Sequence, residues 1–142
     1  MTSITRRSAL ALGIAAPALA LPKTAPAADM YGADDGKEIL PGIRQIDLGK
    51  FPVDFGGYKM SVVTDYTAKP GAEFPDDVMK NDMVCLILAG EWRVKQSGPG
   101  AAKDEFTVKT GGVFSCAKDS HESDKNIASV QAVMRVVDLL PA

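Results

Sequence analysis

Histidine is almost missing from this chain of 142 residues: His121 is the only one, beside two cysteines, Cys85 and Cys116, and one tryptophan, Trp92. That scarcity excludes several chemistries. With no Cys-x-x-Cys pair and no Cys/His cluster, a structural zinc site has no ligands to draw on. A Cys/His dyad, a Gly-x-Ser-x-Gly elbow, a P-loop and a dinucleotide fingerprint are absent too. No apolar stretch reaches the ~20 residues that cross a bilayer as a helix, and no segment keeps the 3.6 period of a long amphipathic helix. Basic charge is also short. Of the 16 Lys+Arg, Arg6, Arg7 and Lys23 lie in residues 1–27, which hold no acid, so the remainder sets 13 basic against 18 acidic residues, a net −5. An acidic domain without a basic stripe argues against nucleic acid or an anionic membrane as partner.

What the first residues do have is the layout of an export signal. Thr5-Arg6-Arg7-Ser8 precedes an Ala/Leu-rich stretch from Ala9 to Leu21, followed by small residues, proline and Lys23. A charged start, a short apolar core and Ala-x-Ala endings at Ala20 and Ala27 make a secretory signal peptide. The paired arginines, weak apolar core and Lys23 resemble the twin-arginine (Tat) signal, although Ala9 stands where a larger apolar residue is usual. The expectation is a leader over residues 1–27, cleaved after Ala27 with Ala20 as second choice. The Tat machinery would then be an export partner, the destination periplasmic or secreted, and no membrane contact would remain after cleavage. An oxidising destination would let Cys85 and Cys116 either form a single staple or stay as two buried thiols.

After the leader the sequence reads as strands. Residues 28–42 are polar and glycine-rich, so residues 28–50 are expected to form an arm with an edge strand near 43–48. Tyr58–Ala68 alternates with period two, as a half-buried strand does, and Pro70-Gly71 ends it. Met83–Ala89 is a short continuous apolar run that fits a strand buried on both faces. In the next segment Trp92 and Val94 face in while Glu91, Arg93 and Lys95 face out. Residues 97–104 read as a hairpin loop, Glu105–Lys109 and Val113–Ala117 as short strands, and Ala128–Leu140 as a closing apolar strand. Residues 75–81 suggest one helical turn capped by Asp76, and Asp119–Lys125 suggests a solvated loop. Short strands at this spacing make one all-β sandwich or barrel.

Two stretches give that barrel a family resemblance. Gly71-x5-Asp77-x-Met79-x3-Met83-x6-Gly90 keeps both glycines of the first cupin motif, G-x5-H-x-H-x3-E-x6-G. Gly111-x5-Ala117-x-Asp119-x2-Glu122-x3-Asn126 keeps the first glycine and final asparagine of the second, G-x5-P-x-G-x2-H-x3-N. The 20 residues between Gly90 and Gly111 match the hairpin separating them. Residues 51–142 therefore resemble the cupin superfamily, which implies an all-β, cupin-type jelly-roll β-barrel in a single domain.

The departures shape the functional expectation. Where the family holds one divalent metal with three histidines and a glutamate, this chain has Asp77, Met79, Met83 and Glu122. Thioethers serve a hard cation poorly, so the usual metal is not expected; if one bound, Asp77 and Glu122 would hold it and His121 less readily. His121 sits one place before the ligand position, which in a strand points it outward. The expected pocket gathers Tyr58, Tyr66, Met79, Met83 and Trp92 around Asp77 and Glu122. The first reading is a metal-free barrel binding a small organic ligand. The alternative is an enzyme, an isomerase, lyase or dioxygenase type, with Asp77 and Glu122 as catalytic acid/base pair or as ligands of an atypical metal. A third assigns Met79, Met83 and Cys85 to Cu(I). A homodimer is compatible with each.

Overall fold

The computed structural model describes residues 30–101 and 104–142; the expected leader lies outside them. Within the described residues the chain forms ten strands: β1 Lys37–Leu40, β2 Ile43–Phe55, β3 Tyr58–Ala68, β4 Glu73–Val78, β5 Asp82–Ala89, β6 Glu91–Ser97, β7 Glu105–Lys109, β8 Val113–Cys116, β9 His121–Asn126 and β10 Ala132–Pro141. They make two antiparallel sheets packed face to face, a jelly roll. One has the order β1-β2-β3-β10-β5-β8, the other β4-β9-β6-β7.

Local chemistry sets the frame. Gly56 and Gly57 both take positive φ, 55° and 83°, between Phe55 and Tyr58, which pair directly. A two-residue hairpin with both central φ positive matches the twist of its strands, and glycine adopts it without a Cβ penalty. Between the sheets, the six-stranded one contributes Ile43, Ala68, Ile87, Met134 and Val136, and the four-stranded one Trp92, Val94 and Val108. Phe74 packs edge-on to Tyr66 and stacks on Trp92, tying the sheets together at the pocket's base.

Three segments differ from the sequence reading. The arm supplies real sheet: β1 pairs with β2, and β2 runs through residue 50 to Phe55, so the first sheet begins upstream of residue 51. Residues 75–81 do not form a helical turn. β4 takes the edge of the smaller sheet, with Asp77 opposite Glu122 and Val78 opposite His121. Pro75 is tolerated there because the register shifts between Phe74 and Asp77, and an edge strand needs fewer ladder donors. The segment Asp119–Lys125 is not a loop either. From His121 onward it is β9, central between β4 and β6.

On the outer face of the larger sheet, Asp65 is fully buried. Arg135 donates to it through Nε at 2.8 Å and Nη2 at 2.9 Å, and the Tyr31 hydroxyl donates at 2.6 Å. The bidentate pair joins β10 to β3, and the Tyr31 bond to it fastens the start of the described chain to the sheet.

Candidate functional site

Alternation along β9 creates the site. His121, Ser123 and Lys125 point away from the core, while Glu122, Asp124 and Asn126 point between the sheets and are buried. Asn126 is used structurally: its Nδ2 donates to the Ala68 and Val130 carbonyls, and its Oδ1 accepts from Ala128 N–H. Across the core, β5 turns Met83 and Cys85 toward the same space, and β8 adds Cys116, whose register partner is Met83.

Met83, Cys85, Glu122 and Asp124 border a cavity of about 320 Å³. Its walls are Leu40, Tyr66, Phe74, Met79, Met83, Met134 and Val136; the polar lining is Asp77, Glu122, Asp124, Asp138 and Cys85. Lysine, arginine and histidine take no part in the lining. The volume lies at the small end of the range for organic ligand sites.

Around Glu122 the polar groups form one network. Glu122 Oε2 accepts from Cys116 Sγ at 2.6 Å and from Gln96 Nε2 at 2.5 Å. Gln96 Nε2 also donates to the Ser115 carbonyl at 2.9 Å and lies 3.7 Å from Cys116 Sγ. The two sulfurs are 4.0 Å apart, both are free thiols, and that separation is about twice an S–S bond. Of the two outcomes open from the sequence, this structure has the thiols. Asp124 Oδ1 is buried and has no hydrogen-bond partner.

Burial raises most of these groups. The Asp124 carboxyl is held well above its usual range, by burial first and then by the Glu122 charge and a hydrogen bond with Glu122. The Cys116 thiol is pushed up by its contact with Cys85, then by burial and Glu122. For Cys85 the bond to Cys116 pulls downward, but burial and the nearby carboxyls leave the thiol raised. Burial also raises Tyr66, with the Asp138 charge adding to it, and raises Asp138, against a hydrogen bond from Asn81.

The expected pocket residues separate. Tyr66, Met79, Met83, Asp77 and Glu122 line the cavity; Tyr58 and Trp92 do not. The Tyr58 hydroxyl donates to Asp82 Oδ2 at 2.5 Å. Trp92 is fully buried beneath Phe74 with its Nε1 unpartnered. Asp77 and Glu122 face each other in register, but Asp77 is exposed and its Oδ1 accepts from Val78 N–H at 2.8 Å. His121 is outside, with Nδ1 3.1 Å from Asp76 Oδ2. The four family ligand positions therefore present one exposed carboxylate, two thioethers and one carboxylate already taken by Cys116 and Gln96. This set does not fit the divalent metal of the cupin motif. Sequence reasoning missed Asp124 and Gln96; the alternation Glu122-x-Asp124-x-Asn126 was the available signal for the first.

Solved structures share this fold. The cupin domain of Schizosaccharomyces pombe Cnp3 superposes with a TM-score of 0.55 at 21% identity, covering 69% of this chain and 64% of that one, so this chain spans less than two thirds of that relative's length. KdgF from Halomonas sp. matches with a TM-score of 0.56 at 13% identity, over 73% of this chain and 84% of that one. A cupin superfamily protein from Desulfitobacterium hafniense matches with a TM-score of 0.55 at 13% identity, over 81% and 88%. The fold is thus a cupin jelly roll; identities this low establish the fold alone. No protein-family model matches the sequence, and no curated protein matches it.

Proposed function

We propose that the protein is an exported, small cupin-like barrel that binds one small organic molecule in the cavity between its sheets. The observation carrying this reading is the cavity itself: about 320 Å³, walled by aromatic, aliphatic and thioether side chains, with Asp77, Cys85, Glu122, Asp124 and Asp138 as its polar groups. Apolar walls with a few convergent polar groups are what such sites require. Because the lining is acidic throughout, the ligand is neutral or cationic, with a hydrogen-bond-donating end that reaches Glu122 and the unpartnered Asp124 Oδ1. An anion would meet only repulsion there. Acid/base catalysis by Asp77 with Glu122 has less support, since Asp77 is exposed and spends one oxygen on its own strand.

The test is a fragment titration of the metal-free protein followed by two-dimensional NMR, comparing small amines, neutral polyols and carboxylates of similar size. Amines or neutral donors should shift resonances of Tyr66, Met79, Met83 and Met134, and carboxylates should not. Val136→Phe, which fills the cavity from β10, should abolish the shifts while the remaining spectrum stays native. Shifts confined to the outer surface, or a preference for carboxylates, would refute this reading.

A further inference from the structure

A sulfur-rich corner adjoins this cavity at Cys85 and Glu122 and needs no organic ligand to explain it. Cys85 and Cys116 face inward from neighbouring strands with their sulfurs 4.0 Å apart. Glu122 reaches them from the opposite sheet, and one donor atom from each of the three lies within 4.8 Å of the others. All three residues are buried. A metal–thiolate bond of ~2.3 Å sets two sulfurs about 3.8–4.0 Å apart in tetrahedral or trigonal coordination, so the thiols already stand at the spacing of a shared ion.

We propose that Cys85, Cys116 and Glu122 form a binding site for a single thiophilic metal ion, with Cu(I) preferred. The preference follows from the surroundings. Met79, Met83 and Met134 line the adjoining cavity together with the carboxyls of Asp77, Asp124 and Asp138, and of these further donors the thioethers suit Cu(I) and serve zinc poorly. His121, the only imidazole in the chain, is outside and paired with Asp76. Binding replaces two thiol protons by one cation, and the protons leave to solvent. Glu122 Oε2, now 2.6 Å from Cys116 Sγ, loses that hydrogen bond and moves outward by about 1 Å to share the ion.

Two further features point to an occupant. Gln96 holds the donors from behind, touching Glu122 Oε2, Cys116 Sγ and the Ser115 carbonyl with one amide nitrogen. Outer partners of this kind orient metal ligands and tune their affinity. Asp124 Oδ1 is buried beside Glu122 with no partner, an acceptor left unsatisfied in the lining. The proposal goes beyond the organic-ligand reading: the two share a cavity but not a ligand.

The experiment is an anaerobic titration of the reduced protein with Cu(I) against a chromogenic Cu(I) chelator, and a parallel titration with Zn²⁺. One equivalent of Cu(I) should be taken from the chelator, with a sulfur-to-copper charge-transfer absorption appearing in step. Cys85→Ser and Cys116→Ser should each abolish the absorption, and Gln96→Leu should weaken binding about 10–100-fold. Cys85→Ser leaves the Cys116–Glu122–Gln96 network intact and so tests the site even if Cys116→Ser does not fold. Uptake by wild type no greater than by the Cys85→Ser/Cys116→Ser double variant would overturn the proposal. So would a preference for Zn²⁺ over Cu(I), or a Cys85–Cys116 disulfide in protein isolated from its native cells. Because the fragment titration uses metal-free protein, each reading can fail without the other.

Discussion

Asp124 shows how one side chain sets a condition on the fold. Its carboxyl sits between the sheets, raised in pKa by burial and by Glu122, with Oδ1 unpartnered. A carboxyl whose folded-state pKa lies above the unfolded value, ~3.9, stabilises the fold fully below that value and loses the contribution as pH rises through the folded one. The protonated acid can donate to Glu122; the ionised form faces it charge to charge. Asparagine would donate to Glu122 at every pH. Asp124→Asn should therefore remove part of the decline in stability as pH rises from ~4 toward neutrality, and gain about 0.5–2 kcal/mol there, as single stabilising substitutions commonly do. Urea denaturation of both proteins across that range checks it. Parallel curves would show that Asp124 ionises in place at no cost. A gain in stability with a loss of fragment binding would mark the residue as kept for its ligand.

At the scale of elements, the turns are as specific as the strands. Gly90 joins β5 to β6 with φ 77°, and a Cβ there would meet the Ala132 side chain at 2.7 Å and its backbone at 3.0 Å. Gly111 has φ 86° with nothing within 4 Å of such an atom. Gly111→Ala should cost only the left-handed backbone strain, about 1–2 kcal/mol. Gly90→Ala should cost more than about 2 kcal/mol, because β10 must also shift. Equal losses in chemical denaturation would mean that β10 yields easily at Ala132. Both glycines were visible as motif positions, and β3 was legible to its ends, because an alternating run between turn residues has few other solutions. β9 was not legible. His-Glu-Ser-Asp-Lys-Asn reads as solvated by composition, and the alternation Glu122-x-Asp124-x-Asn126 does not by itself reveal that the segment pairs on both sides with β4 and β6 and turns these side chains between the sheets. β4 was misread for the same reason: Asp76 offers a helix cap locally, but the free edge of β9 offers a ladder.

For the whole molecule, an all-β sandwich or barrel was readable from strand spacing and the jelly roll from the resemblance of the two motifs, whereas the chemistry was displaced. The two motifs located the pocket, and Glu122 was found through them. Its partners Cys116 and Gln96 come from strands that converge only in three dimensions, and Asp77, equally well placed in sequence, borders the cavity but is exposed and takes no part in that network. The remaining expectation concerns where the protein works. The leader expected over residues 1–27 would carry positive charge only, and its removal after Ala27 would leave a net −5 domain that begins shortly before Tyr31, whose hydroxyl closes onto Asp65. Since that contact and both sheets lie downstream of the cut, the folded domain should be complete without the leader, as a route that carries folded cargo requires. Intact-mass measurement on periplasmic protein should give Ala28 as the N-terminus, with Leu21 the second choice. Arg6→Lys with Arg7→Lys should leave the protein in the cytoplasm with its full mass, because the Tat route reads the arginine pair and not its charge alone. Normal export of that double variant would remove the twin-arginine assignment and leave a general signal peptide. An uncleaved, cytoplasmic wild type would remove both, and Cys85 and Cys116 would then reside in a reducing compartment that keeps thiols free for a metal.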